Sequence, residues 1–276
     1  MAGVQRSAGA RKGRAPAEVS ARRRNRIVDL VQRDGSVTID ELGATFGVST
    51  VTIYRDLADL ESLGMIVRQR GVVTAAGSNL QEAPARFRLG QQEPAKLAIA
   101  RHAAASVPRG SAVMLDDSTT GVLTARALAA RAPLTVVTNS LLVAEEVRAG
   151  AGMRLVLTGG EYEAWAEALL GPVTATVVAS LAADVCMVSV SGITDGVTYH
   201  PYAEVAAVKK AMMRASARSV ALVDHTKFRR RALHEVAPLT AFDTVITDAG
   251  TDPEVLERLR GAGVTVEVAE SLASPS

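Results

Sequence analysis

Val48-Ser49-Thr50-Val51-Thr52-Ile53-Tyr54-Arg55-Asp56-Leu57 is the stretch on which the fold of this chain turns. At about 100° per residue, Ile53, Leu57 and Leu60 fall in one narrow stripe, so a helix capped by Ser49 and running to about Leu63 has a single apolar side. Gly64 closes it. Upstream, Thr38 and Glu41 stand at a capping-box spacing for a short helix over Ile39 to Phe46, and Gly47 permits a tight turn into the next helix. Ile27, Val28, Leu30 and Val31 suit an earlier helix, ended by Asp34-Gly35. Downstream, Met65–Arg68 and Gly71–Thr74 read as two short strands about a turn. Three helices and a hairpin over residues 19–75 make a winged helix-turn-helix domain.

The side of the third helix opposite its apolar stripe carries Arg55, flanked by Val51, Thr52 and Tyr54, with Thr50 beside the Ser49 cap. In a helix-turn-helix this end of the helix meets base edges in the major groove of double-stranded DNA. Arg forks onto guanine, Thr donates, accepts or touches a thymine methyl, and either holds phosphate, so individual roles stay open among Ser49, Thr50, Thr52, Tyr54 and Arg55. Arg22, Arg23 and Arg24 are assigned to backbone phosphates, and Arg70 in the hairpin turn is a further candidate for one. The competing reading pairs Arg55 with Asp59 one turn on and leaves an ordinary solvated face. Charge distribution favours the polyanion: residues 1–26 hold eight basic groups against Glu18 alone, whereas beyond residue 76 there are 19 basic and 21 acidic groups. Residues 1–18 lack any apolar period and are expected to be a disordered basic tail, with a second short tail at 271–276.

The 276 residues, 48% of them hydrophobic, suffice for a sizeable core. No apolar run reaches the roughly 20 residues of a membrane span and the basic start lacks a signal-peptide core, so a cytoplasmic protein with no membrane partner is expected. Cys186, the single cysteine, lies in the apolar run Val185–Val188 and reads as a buried structural thiol. His102, His200, His225 and His234 show no metal-ligand spacing, and neither metal nor cofactor is expected.

Residues 76–94 mix Gly, Ser, Asn, Gln and Pro and read as a linker. Beyond it strands at Ala112–Leu115, Leu134–Thr138, Arg154–Thr158, Val185–Val190, Val220–Val223, Thr244–Ile246 and Val264–Val268 alternate with helical stretches. Such alternation predicts a Rossmann-like, mainly parallel α/β domain over residues 95–270. Asp116-Asp117-Ser118-Thr119-Thr120-Gly121 follows a strand and opens a helix, whose free amides suit an anion such as a phosphate, with Asp116 better suited to a sugar hydroxyl. Simple capping by a hydroxyl is the competing reading. Asn139 and Ser140, Gly159 and Gly160, and Asp224 and Lys227 end three further strands, and in open parallel sheets such ends converge on one pocket. Lys227 or Lys209 can neutralise a phosphate; the glycines fit a plain turn equally well. Trp165, in Glu161–Trp165, either covers the pocket or packs, packing being preferred. Asp116, Asp117, Glu204 and His225 leave a rival, a phosphosugar isomerase or deaminase, for which the front domain has no evident use.

Arg26-Ile27 through Gly71, above all Val48–Leu57, resembles the DNA-binding signature of the DeoR family of bacterial regulators. Tyr54 stands in place of the first of two arginines that usually precede Asp-Leu there, and Arg70-Gly71-Val72 replaces a His-Gly-Gly run common in the wing. Residues 93–248 resemble the family's sensor through the strand-end loops above, Ser191-Gly192-Ile193 and Val208-Lys209-Lys210-Ala211-Met212; Ser118 replaces a common Gly and Thr226 the usual Ser. The resemblance implies a non-enzymatic transcriptional regulator, a repressor of carbohydrate-metabolism genes. Its homo-oligomer, dimer or tetramer, would bind a DNA operator and respond to a phosphorylated sugar or related metabolite.

Overall fold

The computed structural model describes residues 14–75 and 82–270, and the chain divides into two compact units, Met1–Gly77 and Ser78–Ser276. In the first unit helix α1 (Arg14–Asp34) and strand β1 (Ser36–Thr38) precede helices α2 (Ile39–Phe46) and α3 (Thr50–Ser62), then strands β2 (Ile66–Gln69) and β3 (Val72–Ala75). Thr38 N donates to Glu41 Oε2 at 2.8 Å and Glu41 N donates to Thr38 Oγ1 at 3.3 Å, completing the capping box of α2. Gly47 then turns the chain at φ 62°, and Ser49 Oγ accepts from Thr52 N at 3.3 Å to start α3. Ile53, Leu57 and Leu60 are wholly buried, as are Ile27, Val31 and Leu42, so the stripe read from the sequence faces inward. The antiparallel sheet β1-β3-β2 includes a strand that short-range patterning missed, Ser36–Thr38, because only its pairing with Val72–Thr74 makes it one.

Helix α1 begins at Arg14, inside the stretch expected to be a disordered tail; the helix-forming Ala15, Ala17 and Glu18 extend it backward. The rest of that tail, residues 1–13, lies outside the described residues, as does the tail at 271–276. Asp56, buried on α3, ties the two helices: Arg23 Nε lies 2.5 Å from its Oδ2, and Ser20 Oγ donates to its Oδ1 at 3.1 Å.

Helices α4 (Ala85–Leu89) and α5 (Glu93–Ala105) open the second unit, where a linker had been expected through residue 94. Next come β4 (Ala112–Leu115), α6 (Thr119–Leu128), β5 (Leu134–Thr138), α7 (Leu141–Ala149) and β6 (Met153–Leu157). A hairpin of β7 (Glu161–Glu163) and β8 (Ala168–Leu170) leads into α8 (Gly171–Ala179), β9 (Ala183–Val188), β10 (Gly192–Thr194), β11 (Val197–His200) and α9 (Ala203–Arg214). The unit ends with β12 (Ser216–Val223), β13 (His234–Pro238), β14 (Thr244–Asp248), α10 (Pro253–Gly261) and β15 (Val266–Ala269).

Seven strands form one parallel sheet in the order β15-β14-β12-β9-β4-β5-β6. The seven expected strands are these seven, with boundaries shifted by up to four residues. Strands such as β9 and β14 are buried nearly throughout, because helices cover both sheet faces. The chain winds outward from β4 through β6 and then crosses back to β9, so its direction reverses between β4 and β9. At that switch point the loops beyond the two strand ends diverge and leave a crevice. Strands β10, β11 and β13 form a separate antiparallel sheet that the sequence reading did not foresee.

Two stability predictions follow from these contacts. Asp56→Ala leaves Arg23 unpaired between α1 and α3 and should destabilise the first unit by about 3 kcal/mol in chemical denaturation. Gly160 sits at φ 138°, and a Cβ there would meet Thr174 Oγ1 at 1.9 Å and Leu170 O at 2.7 Å. Gly160→Ala should therefore cost about 3 kcal/mol in the second unit, measured the same way, because the backbone oxygen cannot yield as a side chain can.

Candidate functional site

On α3, Thr50, Val51, Tyr54 and Arg55 are exposed, with Ser49 exposed at the cap and Thr52 half-buried. Asp59, the competing partner for Arg55, is bonded by Arg24 instead, and Arg55 has no ion-pair partner among the described residues. Tyr54 lies beneath the Arg68 guanidinium, 5.1 Å from ring centroid to cation, and Arg68 Nη2 is 3.2 Å from Glu61 Oε2. Tyr54 thereby fastens β2 of the wing to α3, a contact an arginine at this position could not make. Arg70 is exposed at φ 50° in the tight turn between β2 and β3, and Arg22 is exposed on α1. Arg23 and Arg24 are the departure: both were assigned to phosphates, and both are spent on carboxylates of α3, Asp56 and Asp59.

In the second unit the crevice at the switch point is a narrow polar cleft open to solvent. Its floor is Asp117, Ser118, Thr119 and Thr120 beyond β4 and Ser189, Val190 and Ser191 beyond β9. Asp116, wholly buried behind it, accepts from Ser118 N at 3.0 Å and from Ser189 N at 2.8 Å, so one carboxylate pins the ends of both strands. Ser118 Oγ in turn accepts from Gly121 N at 2.9 Å as the cap of α6, which leaves the Thr119 and Thr120 amides without a partner among the described residues. Two free amides at a helix N-terminus carry partial positive charge.

Four cations line the cleft: Arg88, Lys96, Lys209 and Lys227. Lys209 Nζ lies 2.5 Å from Asp116 Oδ2 and 3.1 Å from Asp117 Oδ1; burial would lower its pKa, but the two carboxylates raise it, so it is a fixed charge already matched. Asp117 is held ionised below the usual range, Lys209 outweighing the effect of burial. Lys96 differs. Its Nζ donates to Arg88 O at 2.6 Å and Thr119 Oγ1 at 2.9 Å and touches no carboxylate. Burial pushes its pKa down to about 7, with Lys227 and Arg88 adding repulsion and Asp224 offsetting part of it. Lys227, half-buried and without an ion-pair partner among the described residues, is lowered mainly by burial, with Asp224 and Glu82 offsetting part of it and Arg230 and Arg88 adding repulsion.

Glu82 and His200 complete the lining. Burial pushes the His200 pKa down to about 4, so the ring is neutral; its Nδ1 accepts from Tyr202 N at 3.2 Å, which leaves Nε2–H as its donor. Tyr202 stacks on Trp165 at 4.6 Å, and Arg88 lies 5.9 Å over the same indole, so Trp165 packs behind the lining.

Of the residues expected at the ligand, the cleft brings together Ser118, Thr119, Thr120, Lys209 and Lys227, with Asp116 bracing them from behind. Asn139, Ser140, Gly159, Gly160 and Asp224 are outside its lining; most of their polar groups serve the fold, and Asn139 Oδ1 is buried without a hydrogen-bond partner. Asn139 Nδ2 donates to Leu169 O at 3.0 Å, Ser140 caps α7, and Gly159 O accepts from Thr174 Oγ1 at 2.7 Å beside the tightly packed Gly160. Asp224 Oδ1 accepts from Thr226 N at 3.0 Å. Glu82, Arg88, Lys96, Ser189, Ser191 and His200 were missed. The first three fell in or beside the stretch read as a linker, although a Lys three residues into a helix that packs on α6 was a usable signal.

Residues 23–79 match the DeoR-like helix-turn-helix domain and residues 91–249 the DeoR C terminal sensor domain. The chain is 32% identical to the glycerol-3-phosphate regulon repressor of Escherichia coli strain K12, over 89% of this chain and 98% of the relative. It is 30% identical to the putative aga operon transcriptional repressor of Escherichia coli O157:H7, over 90% and 93%, and 30% identical to the HTH-type transcriptional regulator GolR of Listeria innocua, over 90% and 98%. Solved structures similar to it include ribose 5-phosphate isomerase A of Methanocaldococcus jannaschii, 16% identical with TM-score 0.36 over 48% of this chain and 52% of that one. Another is eIF2B delta of Chaetomium thermophilum, 16% identical with TM-score 0.43 over 58% of each. With both domains matched and relatives of 30% identity or more covered over nearly their full length, the chain belongs to the DeoR family of DNA-binding transcriptional regulators.

Proposed function

We propose that this regulator is a repressor of carbohydrate-metabolism genes whose hold on its operator is released when a phosphorylated sugar or related metabolite enters the cleft between β4 and β9. The observation that carries this reading is the pair Lys96 and Lys227, which no carboxylate contacts directly and which Asp224 attracts only from a distance, beside the unpaired Thr119 and Thr120 amides. A phosphoryl group satisfies all four at once, whereas a neutral sugar leaves the cations opposed. Asp117, Ser191 and the His200 Nε2–H supply acceptors and donors for hydroxyl groups. The relatives' names, a glycerol-3-phosphate regulon repressor among them, accord with that chemistry. The geometry favours binding over catalysis: Asp116 and Asp117 are both engaged by Lys209, and His225 and Glu204 are outside the lining of the cleft. The DNA-reading side chains are Thr50, Thr52, Tyr54 and Arg55, with Ser49, Arg22 and Arg70 on phosphates, and a homo-oligomer presents them to matching half-sites.

Arg55→Ala should weaken binding to an operator selected from random DNA by roughly tenfold to a hundredfold while leaving the fold intact. Unchanged specificity in the same selection would move the reading face elsewhere. Lys227→Ala should weaken phosphosugar affinity and spare operator affinity, measured by calorimetry and fluorescence anisotropy. With Lys96 titrating at about 7 in the free protein and held protonated by a bound phosphate, binding takes up a proton above that pH. Affinity for a phosphosugar should thus be level just below pH 7 and fall by up to about tenfold per unit from pH 7 to 9, where the ligand itself is already dianionic. Lys96→Met should flatten that profile.

A further inference from the structure

Glu82 places a carboxylate among the very cations that the reading above reserves for the ligand. Its Oε2 is 3.0 Å from Arg88 Nη1, and its Oε1 accepts from Ser191 Oγ. Burial alone would raise this carboxyl, but Arg88, Lys227 and His200, together with the Ser191 hydroxyl, hold it well below the usual range. The contact is incomplete. Arg88 Nε donates to Ala83 O at 2.8 Å and Nη1 faces Glu82, but Nη2 is buried without a hydrogen-bond partner, as is Glu82 Oε2, so one arm of the guanidinium is unused. An arginine fork is satisfied by two parallel hydrogen bonds to one oxyanion, and a buried donor left unmade is costly.

We propose that the Glu82 carboxylate is an internal occupant of the anion site, and that a phosphorylated ligand binds by displacing it from Arg88. The inference rests on the proposed phosphate-binding role of the cleft. A phosphoryl dianion brings more charge and more acceptor oxygens than the carboxylate it replaces. It uses the idle arm of Arg88 and reaches Lys96 and Lys227, while Glu82 regains water. Displacement of Glu82 also loosens its backbone, whose N–H donates to the Tyr202 hydroxyl at 3.4 Å.

The test titrates inorganic phosphate into the full-length protein and into Glu82→Gln, and follows amide exchange at Glu82 and Ala83 of the wild type with and without phosphate. Glu82→Gln removes the competing charge and should bind phosphate about tenfold more tightly. In the wild type, saturating phosphate should accelerate exchange at Glu82 and Ala83 while α6 becomes better protected. Equal or weaker phosphate affinity in Glu82→Gln, or unchanged exchange at Glu82 and Ala83 while α6 responds, overturns the displacement and leaves the phosphate-binding cleft standing. Phosphate binding to neither protein overturns both. The exchange measurement needs no variant, so it decides the matter even where Glu82→Gln folds poorly.

Discussion

Asp116 is a carboxylate with no exposure to water at the carboxyl end of a central strand, and it is tolerated there because Lys209 Nζ and the amides of Ser118 and Ser189 all donate to it. Those donors come from α9, the loop beyond β4 and the loop beyond β9. The switch point of the sheet, which backbone topology leaves open, is held at a fixed width by this one anion. Its grip on the Ser118 amide sets the turn in which the Ser118 hydroxyl caps α6, and that geometry directs the next two amides outward. Lys209, committed to Asp116 and Asp117, is removed from the set of charges a ligand could recruit.

The two buried lysines of the cleft show how partners decide what a charge does. Lys209 has two carboxylates and is stabilised as a cation; Lys96 has a carbonyl and a hydroxyl, and burial brings its pKa to about 7. The first is architecture. The second is a deficit that an anion relieves, which is the physical basis of the proposed effector binding. The first unit divides its arginines in the same manner: Arg23 and Arg24 are matched by Asp56 and Asp59 and hold α1 on α3, and Arg55 is exposed without an ion-pair partner among the described residues.

What could be read in the sequence was what is local. The capping box of Thr38 and Glu41, the Ser49 cap and the stripe of Ile53, Leu57 and Leu60 are all spaced within one or two turns, and each is present in the structure. The apolar runs of the sheet were legible because parallel strands are buried on both faces. Long-range pairing was not. Arg23 and Arg24 sit in a run of charge that looks solvated, and their partners lie more than thirty residues away. Glu82 precedes and Arg88 lies within a five-residue helix too short to show a period, Lys96 stands in the first turn of the helix that follows, and His200 reaches the cleft on β11, whose partners β10 and β13 are made strands by pairing alone. Gly160 read equally as a ligand loop or a turn because a sequence cannot show that Leu170 O lies where its side chain would be.

The most direct test of the account is a crystal structure of the full-length protein grown with a phosphosugar that releases it from its operator. The phosphoryl oxygens should lie within hydrogen-bond distance of the Thr119 and Thr120 amides and of Lys96 Nζ, at the carboxyl ends of β4 and β9. A phosphoryl group seated anywhere else, with Lys96 still bonded only to Arg88 O and Thr119, would contradict it.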